Sequence, residues 1–224
     1  MATLLLGNLN YSSWSIRGAL VARMSGLNIA EEVMPLATDA TRDYLIAKTG
    51  YRQVPALIDR DLVVRDSLAI TEWLAEASEP GKVWPKESAT RARARMIVAE
   101  MHSGFNSLRR ECYVDIRSRR TDAVLSDDTL TDIARVKAIW AECRAQANGD
   151  GPYLFGNWSA ADAFYAPVVT RFRTYGVALE GGDAAYCEAV FNHPHMQQIE
   201  AAAIAERWTM APGPNGMVLV SGAE

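Results

Sequence analysis

The hydrophobic pattern changes its period near residue 78, and this restricts the fold more than any other feature of the chain. Before that point, short apolar runs alternate with helical spacing. TLLLGN at 3–8 reads as a buried strand, after which Ile16, Leu20, Met24 and Leu27 recur one helical turn apart and Gly26 supplies a stop. EEVMPL gives a second strand, and Asp39 is placed to cap the short helix TRDYLIAK. VPALID and LVVRD then form a hairpin about Arg60-Asp61, and Ser67 caps a helix that carries Ile70, Trp73, Leu74 and Ala77 on one face. The order β-α-β-α-β-β-α needs a parallel crossover in its first half and an antiparallel hairpin in its second. A mixed sheet with helices on its faces follows.

Past residue 78 the period is almost entirely helical. EPGKVWPKE sets Gly81 between two prolines and reads as a linker. Residues 89–116 read as one long helix, DTLTDIARVKAIWAECRAQA as a second, SAADAFYAPVVTRFRTYGV as a third, and the stretch ending in HPHMQQIEAAAIAERW as one or two more. The expected class is α/β plus all-α: an α/β domain over 1–78, a linker over 79–87, a helical domain over 88–210 and an irregular tail over 211–224. Ser159-x-x-Asp162 is a capping box, which fixes the start of a buried helix and has no part in a site. Trp140, Trp158 and Trp208 are expected in the core.

Composition narrows the functional classes. Hydrophobic residues make up 49% and charged residues 22%, which is ordinary for a globular protein and removes disordered and fibrous classes. No apolar run approaches a membrane span and the N-terminus carries no leader pattern, so a cytoplasmic protein with no membrane partner is expected. A net charge of −4 argues against a nucleic-acid partner. Residues 91–120 run against that balance with eight arginines, which read as a solvated helix face or, more sharply, as a cleft wall for an anion. Cys112, Cys143 and Cys187 are widely spaced and share no metal-type spacing with the three histidines, so free thiols and no metal site are expected.

Pro55 has no place inside an ordinary strand, because it cannot donate a ladder hydrogen bond. It sits in QVPAL, with RDSLAI beginning twelve residues after the start of that motif. Together with YSSWSIR at the first strand–helix junction, these motifs resemble the cytosolic glutathione transferase family, in a bacterial, serine-type form with a zeta-like N-terminal motif. The resemblance covers nearly the whole chain. It implies a thioredoxin-like N-terminal domain, a cis Val54-Pro55 peptide, a homodimer and glutathione as co-substrate. By the same resemblance Gln53, Val54 and Pro55 lie along the glutathione backbone, Asp66 meets its α-amino group, and Ser67 meets the γ-glutamyl carboxylate.

A free thiol with a pKa near 8.5 is mostly protonated at neutral pH, and lowering that by two units takes about 2.7 kcal/mol. A hydroxyl donor beside a helix N-terminus can supply this. Tyr11, Ser12, Ser13 and Ser15 all qualify by type. Laid on the Ser-Ser-Cys-x-x-Arg pattern of zeta-like relatives, the catalytic serine falls on Ser12, with Ser13 and Tyr11 as alternates; Ser15 falls in the first turn and Arg17 on the pattern's arginine. Trp14 stands where those relatives have cysteine, which favours conjugation to a small electrophile, a detoxification reaction, over a maleylacetoacetate-type isomerase. A non-catalytic binding or regulatory protein of the same architecture is the other alternative. Trp14, His102, Phe105, Asn106 and Arg109 are the expected contacts of the second substrate.

Overall fold

The computed structural model describes residues 1–147, 151–213 and 216–222. Strand β1 (Ala2–Gly7) lies inside a four-stranded sheet of order β2-β1-β3-β4, which explains its unbroken apolar run. Helix α1 (Ser13–Ser25) carries the crossover to β2 (Ile29–Met34), which pairs parallel with β1; α2 (Asp39–Thr49) leads to β3 (Ala56–Asp59), which is antiparallel to β1 and forms a hairpin with β4 (Leu62–Arg65). Helix α3 (Ser67–Ala77) closes the unit. The mixed sheet and the β-α-β-α-β-β-α order are as the sequence pattern predicts. Two caps differ: Thr38, not Asp39, caps α2, and Asp66, not Ser67, caps α3.

Close approach of α1 to the Val54-Pro55 turn sets the geometry of this unit. That peptide is cis. A Cβ at Gly18 would come within 3.1 Å of the Pro55 ring, tighter than ordinary contact, so a side chain there would make the ring give by a few tenths of an ångström. One turn earlier in the same helix, Ser15 Oγ accepts from the Gly7 N–H at 2.8 Å, which ties the first turn of α1 to the last residue of β1.

The following segment is packed structure, with Val83 and Trp84 buried and the Val83 carbonyl accepting from the Ala160 N–H at 2.8 Å. The helical part comprises α4 (Ser88–Ser103), α5 (Asn106–Glu111), α6 (Asp127–Ala145), α7 (Ala160–Tyr175), α8 (Gly181–Asn192) and α9 (Pro194–Ala205). The long helix read over 89–116 is thus divided. Gly104 ends α4, where a Cβ would lie 2.9 Å from the Glu100 carbonyl, and Phe105 restarts the chain in the left-handed region at φ 61°. The described part of the tail is not irregular, and residues 214–215 and 223–224 of the expected tail lie outside the described residues. Thr209–Gly213 and Gly216–Ser221 form an antiparallel hairpin, β5 and β6.

Helix α7 is buried on nearly every side and is the axis of the core. Trp140 on α6 packs its ring against Tyr186, Phe172 and Tyr165 at centroid distances of 4.8, 5.3 and 6.2 Å. Trp158 and Trp208 are only half-buried, and Trp158 stacks on His193 at 3.8 Å. The capping box at Ser159 and Asp162 is present. The Asp162 carboxylate also takes the Leu154 N–H at 3.0 Å and the Tyr186 hydroxyl at 3.2 Å, so one buried side chain joins the preceding loop, α7 and α8. Replacing it with alanine leaves several buried donors unpaired, and Asp162→Ala is expected to cost about 2 to 4 kcal/mol. Ser159→Ala should cost about 1 kcal/mol. Urea unfolding of both variants measures the difference.

Arg93, Arg95, Arg110 and Arg119 of the arginine-rich segment are exposed, as a solvated face requires, and several of its arginines also find protein partners. Arg95 pairs with Glu72 at 2.8 Å, Arg91 donates to the Lys86 carbonyl at 2.7 Å, and Arg119 to the Ser118 carbonyl at 2.8 Å. Arg109 donates to the carbonyls of Gly104 and Met101 at the end of α4. These guanidinium groups reach one carboxylate and several backbone carbonyls, of which those of Met101 and Gly104 lie at the C-terminal end of α4. No helix among the described residues is long and apolar enough to cross a membrane.

Candidate functional site

A cleft of about 780 Å³ lies at the C-terminal edge of the sheet, lined by Ser12, Trp14, Leu36, Tyr51, Arg52, Gln53, Val54, Pro55, Arg65, Asp66 and Ser67. Three separated sequence motifs therefore share one wall system. The β1–α1 turn supplies Ser12 and Trp14, the turn before β3 supplies Gln53 to Pro55, and the β4–α3 junction supplies Asp66 and Ser67. The β3 ladder starts at Ala56, so Val54 stands before the paired strand and beside the cleft.

Ser12 is the N-cap of α1, and its Oγ accepts from the Ser15 N–H at 3.1 Å. That bond uses a lone pair and leaves the hydroxyl proton free to donate. Ser13 is the first residue of the helix and Ser15 lies in its first turn. The Tyr11 hydroxyl accepts from Arg117 at 3.0 Å, and Tyr11 is not among the cleft-lining residues.

At the opposite wall Asp66 has φ 78°, a strained setting for a residue with a side chain. Its carboxylate accepts from the Leu68 and Ala69 N–H groups at 2.7 and 3.3 Å and faces His102 Nε2 at 3.3 Å. The Ser67 hydroxyl is buried and has no hydrogen-bond partner. Such a group costs free energy unless something satisfies it, and a carboxylate oxygen suits it. Asp66 takes up two of the amides at the start of α3, so that helix end has fewer free donors than the sequence suggests. Arg52, Arg65, Tyr51 and Leu36 are cleft residues that sequence reasoning missed. The available signal was adjacency, since Tyr51-Arg52 directly precedes Gln53 and Arg65 directly precedes Asp66.

The expected second-substrate residues do not all come together at this cleft. Trp14 lines it, and His102 on α4 lies edge-on to the Trp14 ring at 5.2 Å while touching Asp66. Phe105 is buried in the core, Asn106 is exposed, and the Arg109 guanidinium stacks on Trp14 at 5.1 Å while holding the α4 carbonyls. None of these three lines the cleft. Beneath Trp14 lies Arg17, fully buried, its Nε donating to the Phe164 carbonyl at 3.3 Å and both terminal nitrogens unpaired. The Trp14 and Phe164 rings, 4.8 and 5.1 Å away, offset its charge in part. Burial holds the Arg17 pKa well below its ordinary value, and the charges of Arg109 and Arg171 add to that.

Models for the N-terminal and C-terminal domains of glutathione S-transferases match residues 11–77 and 90–193. The chain belongs to the glutathione S-transferase family. A glutathione transferase homolog from Burkholderia gl BGR1, solved with bound glutathione, superposes with a TM-score of 0.65 at 22% identity over 92% of this chain and 99% of that one. A glutathione S-transferase from Xylella fastidiosa gives a TM-score of 0.66 at 17% identity over 91% and 98%. At these identities the likeness shows the fold. Curated relatives include a stringent starvation protein A homolog from Haemophilus ducreyi, 23% identical over 66% of this chain and 67% of its own, and another from Pasteurella multocida, 22% identical over 76% and 78%.

Burial lowers the His102 pKa below the ordinary histidine value; Asp66 opposes the shift, and Arg17 and Arg109 reinforce it. The lowered pKa disfavours the charged imidazolium even though Asp66 lies 3.3 Å from Nε2. Removing the opposing charge with Asp66→Asn should lower the His102 pKa further, whereas Arg17→Met should raise it. Imidazole resonances followed by NMR across pH 4 to 8 measure both shifts, and their opposite signs are the check.

Proposed function

We propose that the chain is a glutathione transferase that conjugates the glutathione thiolate to a small electrophile, as a cytoplasmic homodimer, with Ser12 as the thiol-activating residue. The observation that carries this reading is the Ser12 hydroxyl. It sits in one cleft with Val54, Asp66 and the unpartnered Ser67 hydroxyl, and its oxygen is occupied by the Ser15 N–H so that its proton is left to donate. In this reading an extended glutathione lies along Val54, with its γ-glutamyl carboxylate at Ser67, its amino group at the remaining face of the Asp66 carboxylate, and its glycyl carboxylate toward Arg52. The sulfur then falls to Ser12 at the positive end of α1.

Chemistry needs little more from the protein. The sulfur lone pair forms an S–C bond with the electrophilic carbon, and the pair from the broken bond leaves with the departing group or moves into an activated π system. Ser12 favours the thiolate by donating to it, which raises the fraction of nucleophile present before the electrophile arrives. Trp14 and His102 border the space where that electrophile enters.

A non-catalytic glutathione-binding protein is the second reading, favoured by the name of the curated relatives, which is that of a starvation protein and not of a transferase. The readings separate on one residue. Under the first, Ser12→Ala raises the bound thiol pKa by about 1 to 2 pH units and lowers turnover through kcat, while glutathione affinity stays nearly constant. A wild-type protein that retains glutathione yet leaves its thiol titrating as in free solution supports the second. In both, Ser67→Ala weakens glutathione binding by about 1 to 3 kcal/mol, read by calorimetry beside a melting curve for the loss of packing at the helix start.

A further inference from the structure

The loop that presents Ser12 is held by a residue from the far end of the chain. Between β1 and α1, the Tyr11 and Ser12 N–H groups turn back to the Asn8 carbonyl at 3.2 and 2.9 Å. The two amides before them go elsewhere. Leu9 N–H donates to Glu206 Oε1 at 2.5 Å, and Asn10 N–H donates to Glu206 Oε2 at 3.3 Å. Glu206 is the C-cap of α9 and is half-buried. Its own carbonyl accepts from Arg117 Nη1 at 2.6 Å, while Arg117 Nη2 donates to the Trp208 carbonyl at 2.7 Å and to the Tyr11 hydroxyl at 3.0 Å. The contacts close a ring: carboxylate to loop amides, carbonyl to guanidinium, guanidinium to Tyr11, and Tyr11 back into the loop.

We propose that Glu206 is a positioning residue for thiol activation, acting through the Leu9–Tyr11 backbone on Ser12. This rests on the reading of Ser12 given above. A carboxylate that accepts from two successive amides fixes their peptide planes, and charge-assisted bonds of this kind are stronger than neutral ones. Those planes lie two and three residues before the Ser12 hydroxyl, whose hydrogen bond to a sulfur depends on placement to within about half an ångström. Asp115, the other acid near the loop, bonds the Asn10 side chain at 2.9 Å and leaves the backbone amides to Glu206. The inference gives the C-terminal segment a part in the chemistry, although none of its residues lines the cleft.

Glu206→Gln tests this while keeping size and shape. An amide has one acceptor oxygen, so it can serve only one of the two N–H groups and turns its NH₂ toward the other. Amide hydrogen exchange at Leu9 and Asn10 should speed up without a global change. The bound glutathione thiol pKa should rise by about 1 pH unit, with kcat at neutral pH down about 10-fold and recovering at higher pH, and glutathione affinity within about 2-fold of wild type. The double variant with Ser12→Ala should be no worse than Ser12→Ala alone, because both act through one hydroxyl. Should Glu206→Gln fail to fold, Tyr11→Phe opens the same ring at Arg117 and is expected to shift the thiol pKa in the same direction by less. A depressed thiol pKa in the wild type that neither variant alters makes the clip merely structural and overturns the proposal alone. A wild-type thiol that titrates like free glutathione overturns the Ser12 reading and this proposal together.

Discussion

Everything at the cleft depends on where α1 sits. Its position is set by the close contact of Gly18 with the Pro55 ring, by the Ser15 hydroxyl on the Gly7 N–H, and by Arg17 reaching the Phe164 carbonyl in α7. The first contact brings the helix start across from Val54, and the second ties it to the end of the central strand. The third fixes both to the most deeply buried helix of the other half. Ser12 and Trp14 are thereby aimed into a space whose opposite wall comes from different segments. A methyl group at position 18 would crowd the Pro55 ring at 3.1 Å.

Charge gives the cleft its chemical bias. Arg52 and Arg65 stand at its wall, α1 starts beside it at Ser12, and Arg17, with both terminal guanidinium nitrogens unpartnered, packs its charge against the Trp14 ring. Asp66 is the one carboxylate among the cleft-lining residues, and its oxygens are engaged by two amides and His102. A ligand with two carboxylates, one amino group and a sulfur that gains from being ionised matches that distribution. The whole chain carries a net charge of −4, so the attraction is local and is built by placement.

Much of this was legible in the sequence because it rests on local patterns. The apolar run of β1, the hairpin about Arg60-Asp61, the proline in QVPAL and the capping box at Ser159 each depend on a few neighbouring residues, and each is found. Readings failed where a distant partner decides. Gly104 sits inside a helical period that continues on both sides, and the extended backbone at Gly104 and left-handed Phe105 that divide it leave no trace in that period. APGPNGMVLV looks irregular because its prolines and glycines obscure a hairpin whose strands mainly satisfy each other. Ser67 looked like a cap, yet Asp66 takes that role and frees the hydroxyl for the cleft. The arginines of 91–120 are partly solvated as they read, but the contact of Arg95 with Glu72 on α3 and those of Arg117 with Glu206 and Trp208 depend on distant partners. Glu206 carries no motif at all, and its contact with the Ser12 loop exists only in three dimensions.

The central claim is that one cleft holds glutathione and ionises it. An NMR titration of the wild-type protein with glutathione labelled at its cysteine β-carbon tests both halves in one sample near neutral pH. The account predicts saturable shifts of the Val54, Ser67 and Ser12 amides with a common affinity, and a bound β-carbon signal at the thiolate position. Binding elsewhere on the chain, no saturation at millimolar glutathione, or a bound signal at the thiol position would contradict it.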